Sequence, residues 1–151
     1  MNDRTMLSTT SQYALRALVR LASEPGGGAV LGRDLAKECD IPANYLSKLL
    51  WQLRNAGLVS TVRGSGGGYK LDRPAGEIRL MEVVEVFEGL RHRPTCLLGK
   101  GECSDAEACS AHHAWKKLRA TYIEFLGANT LADIAPRADS GEKASRLSGT
   151  R

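Results

Sequence analysis

The chain has 151 residues, 42% of them hydrophobic and 25% charged, with a net charge of +4. That length suits one domain plus an appendage with a sizeable core, and no apolar run is long enough to cross a bilayer, which leaves a soluble globular protein. Residues 1–75 carry ten Lys/Arg against six Asp/Glu, and residues 76–151 carry eleven of each, so the basic surplus lies in the first half, as nucleic-acid binding or an ordinary solvated surface would each produce.

The opening residues, MNDRTMLSTTSQ, lack the apolar core of a signal peptide. The expected location is therefore cytoplasmic, where clustered cysteines serve as metal ligands or redox sensors rather than disulfides. Leu15, Leu18, Leu21 and Ala22 recur at helical spacing and predict a helix over 11–23. Thr9 and Gln12 have the spacing of a capping box, and EPGGGA breaks the helix. Leu31, Leu35, Ala36 and Cys39 form a short amphipathic stripe, on which Cys39 reads as a small buried hydrophobe. Pro42 suits the first position of the next helix, whose buried face is Leu46, Leu49, Leu50 and Leu53 and whose C-terminal glycine is Gly57. Two short helices joined by a tight turn form a helix-turn-helix pattern.

LVSTVR then alternates like a strand, GSGGG turns the chain, and YKL is the partner strand. A helix-turn-helix followed by a β-hairpin predicts a mainly α winged helix-turn-helix. Further on, Ile78, Leu80, Met81, Val83, Val84, Val86 and Phe87 predict a helix ending at Gly89. Trp115, Leu118, Tyr122, Phe125 and Leu126 fall on one stripe of a later long helix, a candidate for dimerisation or for packing within its own subunit. Thr130 caps a short last turn, and the polar tail from Pro136 onward is expected to be disordered. The expected organisation is a DNA-binding domain over 1–75, a connecting helix over 76–95, a ligand-binding segment over 96–112, a dimerisation helix over 113–135 and a tail over 136–151.

The second helix of the pair is the one expected in a DNA major groove. Its outward positions include Asn44, Tyr45, Ser47, Lys48 and Gln52, hydrogen-bonding residues plus one cation, suited to base edges and phosphates. Arg63, at the start of the turn with Gly64, Ser65 and Gly66, is placed to enter a minor groove, where the negative potential is enhanced. No Gly-Lys-Ser/Thr follows, so the glycine-rich turn does not read as a nucleotide loop.

Cys96 and Cys103 are separated by six residues, and Cys103 and Cys109 by five. Three thiolates and one other ligand suit Zn²⁺ or an iron–sulfur cluster, and the gaps are wider than in usual structural zinc knuckles. His112 lies three residues after Cys109 and shares its side if the helix has begun there, whereas His113 and His92 read as surface residues. Glu102, Asp105 and Glu107 leave an oxygen ligand open. No nucleophile constellation or acid–base pair points to an enzyme.

YALRALVRLA, IPANYLSKLLWQLRNAGLVSTVRGSGGGYKL and the cysteine cluster together resemble the IscR/NsrR family of bacterial winged-helix regulators, over residues 6–135. The resemblance implies a homodimeric repressor on a pseudo-palindromic operator in double-stranded DNA. In it, the helix around 44–52 reads the major groove and the wing around 63–66 enters the minor groove. It also implies an iron–sulfur cluster that controls operator affinity. In the IscR-like branch three cysteines and a histidine three residues after the last hold a 2Fe–2S cluster. Cys96, Cys103, Cys109 and His112 match that set, and CSAHHAW keeps the histidine and the tryptophan after it. The first gap is one residue longer than the family's. The NsrR-like branch completes a 4Fe–4S site with an aspartate before the first-helix tyrosine, where this chain has Gln12. A 2Fe–2S cluster is thus favoured over 4Fe–4S, with a zinc-bound or cluster-free thiol switch of the same fold as the alternative.

Overall fold

The computed structural model describes residues 6–92, 96–98, 101 and 105–136. Leucine and alanine spacing builds the first layer. Helix α1 (Thr9–Ala22) buries Ala14, Ala17, Leu18 and Leu21, all at positions that share one helical face. Its cap is Ser8, one residue before the expected Thr9. Ser8 has extended backbone angles and its hydroxyl accepts from the Ser11 amide at 3.2 Å, while Thr9 is already helical. The Gln12 amide group donates to the carbonyl of Leu7 at 2.9 Å.

Helix α2 (Gly32–Cys39) buries Leu35, Ala36 and Cys39 against α1. Asp40 then takes a left-handed conformation, φ 54°, and turns the chain into α3 (Ala43–Asn55). Pro42 is the cap residue of α3 rather than its first helical residue; its ψ of 130° keeps it extended. Leu46, Leu49, Leu50 and Leu53 are buried as expected. Gly57 ends the helix with φ 74°, and the Leu58 amide reaches back to the Leu53 carbonyl at 3.0 Å, a closure that needs a left-handed residue at 57.

Strands β1 (Val59–Val62) and β2 (Gly68–Leu71) pair antiparallel, with Val59 opposite Leu71 and Val62 opposite Gly68. A third segment joins them. Val30 and Tyr69 exchange two backbone hydrogen bonds of 2.8 Å each, which ties the hairpin to the chain just before α2. Gly68 permits this approach: a Cβ there would lie 2.2 Å from the Val30 carbonyl oxygen.

Helix α4 (Leu80–Glu88) buries Leu80, Met81, Val83 and Val84 and ends at Gly89, as its sequence predicts. Glu82 braces its start, accepting from the Arg79 amide at 2.9 Å and from the Arg73 guanidinium at 2.6 Å. Partial burial works against the charged form, but these two donors hold the Glu82 carboxyl below its ordinary value. Helix α5 (His112–Ala128) packs on α4, and α6 (Leu131–Ile134) returns to α1. Thr130 caps α6 as expected, with Asp133 accepting from the Thr130 amide at 2.7 Å and from its hydroxyl at 2.9 Å. Two backbone bonds, from Leu80 to Asn129 and from Leu131 to Ile78, stitch this end onto the chain entering α4.

The predicted α5 stripe divides. Leu126 is buried and Trp115 and Tyr122 are half-buried, but Leu118 and Phe125 are 52% and 53% exposed. These two, seven residues apart, lie together on one side of the stripe, turned away from the side that Leu126 buries. Among the described residues no helix is long and apolar enough to cross a membrane. Apart from Pro136, the tail expected to be disordered lies outside the described residues.

Candidate nucleic-acid interface and cysteine segment

The buried arc of α3 defines its outward face. With 3.6 residues per turn, the positions opposite Leu46, Leu49, Leu50 and Leu53 are Asn44, Lys48, Trp51 and Asn55. Ser47 and Arg54 flank that line on one side, and Tyr45 and Gln52 on the other. All eight are exposed, and α3 contains no Asp or Glu. Two of the expected residues are engaged with protein groups. The Ser47 hydroxyl donates to the Ala43 carbonyl at 3.0 Å, leaving its lone pairs as its outward function. The Tyr45 hydroxyl bonds the Thr10 hydroxyl, and the Tyr45 ring meets Tyr13 edge-on at 5.5 Å. Arg16 lies over the other ring, 5.2 Å from the Tyr13 centroid. Tyr45 therefore belongs to the seam between α1 and α3, and it brings the polar start of α1 to the same surface. Trp51, Arg54 and Asn55 extend the face beyond the residues read from sequence. The signal was present: the leucine period alone puts residue 51 opposite residue 53.

The wing projects from this body on the two short strands. Arg63, Gly64, Ser65 and Gly66 are all exposed, and the turn is closed by the Gly67 amide donating to the Gly64 carbonyl at 3.0 Å. Gly64 and Gly66 have φ of 95° and 75°. Glycine tolerates such angles, so the tip stays narrow with Arg63 at its base. A cation on a narrow turn beside a helix face without acids is an arrangement that duplex DNA can accept in adjacent grooves.

The cysteine segment is built differently. Cys103 lies outside the described residues. Cys96 is half-buried and Cys109 is exposed. The Cys96 amide donates to the Gly101 carbonyl at 3.1 Å and closes a small loop that exposes Leu97 and Leu98. Helix α5 begins at His112, so helical register does not place Cys109 beside it. A backbone turn links the two residues, with the His112 amide donating to the Cys109 carbonyl at 3.0 Å. His112 is 1% exposed, and its Nε2 lies 2.6 Å from a carboxylate oxygen of exposed Asp105. That bond, with help from Lys116 at 3.3 Å, keeps the Asp105 carboxyl below its ordinary value. The His113 ring meets His112 edge-on at 5.2 Å from an exposed position. His92 is exposed, 3.8 Å from Glu85. Cys39 is separate from this segment: it is buried between α1 and α2, and burial pushes its thiol up, away from the reactive thiolate.

Among the described residues no three His, Cys, Asp or Glu side chains come together as a group that could hold a metal ion, so Cys96, Cys109 and His112 share a segment without being gathered into one site. Of the three acidic residues that the sequence offers as oxygen ligands, Asp105 is committed to His112, Glu107 is exposed and Glu102 lies outside the described residues.

Comparison with known proteins agrees with the winged-helix fold. A model of the Rrf2 family, described as iron-dependent transcriptional regulators, matches residues 7–137. The HTH-type transcriptional regulator IscR of Xenorhabdus nematophila is 34% identical over 146 residues, spanning 91% of this chain and 88% of that protein. The solved structure of CymR, the global cysteine regulator of B. subtilis, is similar with a TM-score of 0.74 at 30% identity, covering 87% of this chain and 97% of that one. The structure of T. potens IscR is similar with a TM-score of 0.68 at 32% identity, covering 86% and 85%. Staphylococcus aureus CymR in its oxidized form has a TM-score of 0.71 at 30% identity, covering 90% and 100%. A winged helix-turn-helix with a basic, acid-free α3, matched over nearly all its described length to transcriptional regulators, places this chain in the Rrf2 family as a DNA-binding transcriptional regulator.

Proposed function

We propose that this chain is a cytoplasmic, homodimeric repressor whose affinity for a pseudo-palindromic operator is controlled by an iron–sulfur cluster, with 2Fe–2S favoured over 4Fe–4S. Cys96, Cys103 and Cys109 hold the cluster and His112 is the fourth ligand. One observation supports this most. Cys96, Cys109 and a buried, carboxylate-oriented His112 follow one another in the segment leading into α5, outside the leucine core, in the order that the family resemblance implies for cluster ligands. When bound, such a cluster supplies one-electron redox chemistry and reactivity toward oxidants. The chain's own residues do the rest. Asp105 orients the His112 ring. Lys48 and Arg63 meet phosphates and the minor groove. The exposed Leu118 and Phe125 of α5 are the surface on which a second copy packs. Helix α5 packs on α4, and α4 packs on α1 and α3, so the packing is continuous from the cysteine segment to the DNA face.

The test is anaerobic purification followed by visible absorption with iron, sulfide and zinc analysis. The expected result is a brown protein with acid-labile sulfide and about two iron atoms per chain, lost in Cys96→Ala and Cys109→Ala. In gel-shift titrations Arg63→Ala is expected to weaken operator binding about tenfold or more. Unchanged affinity would sink the wing assignment.

A second reading is a cluster-free or zinc-bound thiol switch on the same fold. The exposed Cys109 and the likeness to a regulator solved in an oxidized form favour it. A colourless protein, purified without oxygen, whose DNA affinity changes with thiol oxidation would establish this reading and exclude the cluster.

A further inference from the structure

Trp51 has no structural reason to be where it is. It is 64% exposed, the opposite side of α3 from the buried Leu53, and it stands at the centre of the outward face rather than at its edge. The surrounding side chains, Asn44, Ser47, Lys48 and Asn55, are polar or cationic. A tryptophan anchor ringed by polar groups would also suit a protein partner, but this one stands on the helix that a winged helix-turn-helix places in the major groove. A second copy has the α5 stripe, which lies elsewhere. What suits an isolated aromatic among hydrogen-bonding residues and cations, on a helix without a single carboxylate, is the floor of a major groove. There the neighbours find base edges and phosphates, and the only apolar group on offer is the C5-methyl of thymine.

The indole is also the wrong group for hydrogen-bond readout. It has one N–H donor and no acceptor, so it cannot make the paired contacts that distinguish guanine or adenine. It can bury a methyl group against its ring. Position along the helix agrees. Trp51 lies eight residues past Ala43, about 12 Å along the axis, where a helix entering the groove by its first turns has begun to leave the base edges. A side chain there needs long reach, which tryptophan has and Ser47 lacks. The four leucines beneath hold the backbone of α3 in place, so the ring's approach is set by the core.

We propose that Trp51 is a specificity-determining residue that reads one thymine methyl group in each half-site of the operator. The assignment rests on the DNA-binding reading above and adds a base preference to it.

The experiment uses the full chain and a duplex enriched by that chain from a random-sequence library. Each thymine is replaced singly by deoxyuridine, which removes the methyl group and keeps the base pair. Wild type, Trp51→Ala and Trp51→Phe are titrated against every duplex, with Arg63→Ala as a control for DNA binding in general. Circular dichroism and thermal melting confirm that the variants fold, as expected for an exposed position. The expected result is one position per half-site where deoxyuridine weakens wild-type binding about fourfold, the worth of one buried methyl-sized group. That position becomes silent in Trp51→Ala and is partly kept in Trp51→Phe. Trp51→Ala binding with unchanged affinity, weakening all duplexes equally, or keeping the wild-type deoxyuridine profile overturns the assignment while Arg63→Ala still shows a loss. Failure to enrich any duplex overturns both the assignment and the DNA-binding reading beneath it.

Discussion

The DNA-reading half and the cysteine segment obey different rules. From Ser8 to Leu71, buried leucines on α1, α2 and α3 fix each helix, and backbone bonds from Val30 to Tyr69 and from Leu58 to Leu53 lock the turns. Between Cys96 and His112 the described residues contribute no leucine to the core, and their contacts include a loop closed by one backbone bond, a turn closed by another, and the Asp105–His112 pair. Leu97 and Leu98, the apolar residues of that loop, are exposed. Groove readout requires side chains held at fixed spacing, and a packed core supplies it. The segment around the cysteines is held by few such contacts, and of its described side chains His112 is the one that is fully buried.

The largest effect that would break this contrast is in the core. Leu53→Ala should lower stability by about 2–5 kcal/mol, because a fully buried leucine leaves a cavity. Leu98→Ala should stay within about 0.5 kcal/mol. Urea unfolding of both variants decides it, and equal losses would erase the distinction. Gly68→Ala comes next. Its Cβ would meet the Val30 carbonyl, so about 1–3 kcal/mol should be lost. Hydrogen exchange should show the Val30 and Tyr69 amides losing protection while α3 keeps its own. Thr130→Ala, at the far end of the chain, should cost about 1 kcal/mol in thermal unfolding through the lost cap of α6.

Glu82→Gln should have the smallest effect and the clearest pH signature. The folded state holds the Glu82 carboxyl below its ordinary value, so its contribution is present above about pH 4.3 and disappears as the pH falls through the lower, folded value. Glutamine keeps the hydrogen bond to the Arg79 amide and loses only the ion pair with Arg73. Wild type should therefore exceed the variant by about 0.2–1 kcal/mol at pH 7, and the two should converge in acid. A difference that persists at pH 2 would place the effect in packing instead of charge.

Legibility in the sequence followed the same division. The leucine period predicted which faces of α1 and α3 are buried, and Gly57, Gly89 and Thr130 marked ends that are found at those residues. Local rules misplaced features where two adjacent residues compete. Ser8 and Thr9 both offer a capping hydroxyl, and backbone angles decide between them. Pro42 fits equally as cap or first helical residue. The Val30–Tyr69 pairing was not legible, because it joins residues far apart whose sequence gives no strand signal around 30. The cysteine spacing suggests a ligand set, but among the described residues Cys96, Cys109 and His112 are not brought together into a metal-holding group. His112 is the first residue of α5 rather than part of a helix already running through Cys109, and its bond to Asp105 depends on the fold of the loop between. On α3, Trp51 was passed over because reading a helix for its buried face does not weigh an aromatic on the other one.

One feature of α5 has a mechanical side. Its C-terminal end is stitched to the chain entering α4 by the bonds at Asn129 and Leu131, and α6 beyond it is packed on α1. Its other end carries His112. Seventeen residues make a rod of about 25 Å with a pivot at one end. Displacing the His112 end by about 2 Å tilts the rod by about 5° about that pivot. Leu118 and Phe125 ride on the rod at different radii, so a tilt moves the first more than the second. The exposed stripe then answers a small movement beside the cysteines by turning, and its angle, rather than its composition, is the quantity that such a movement sets.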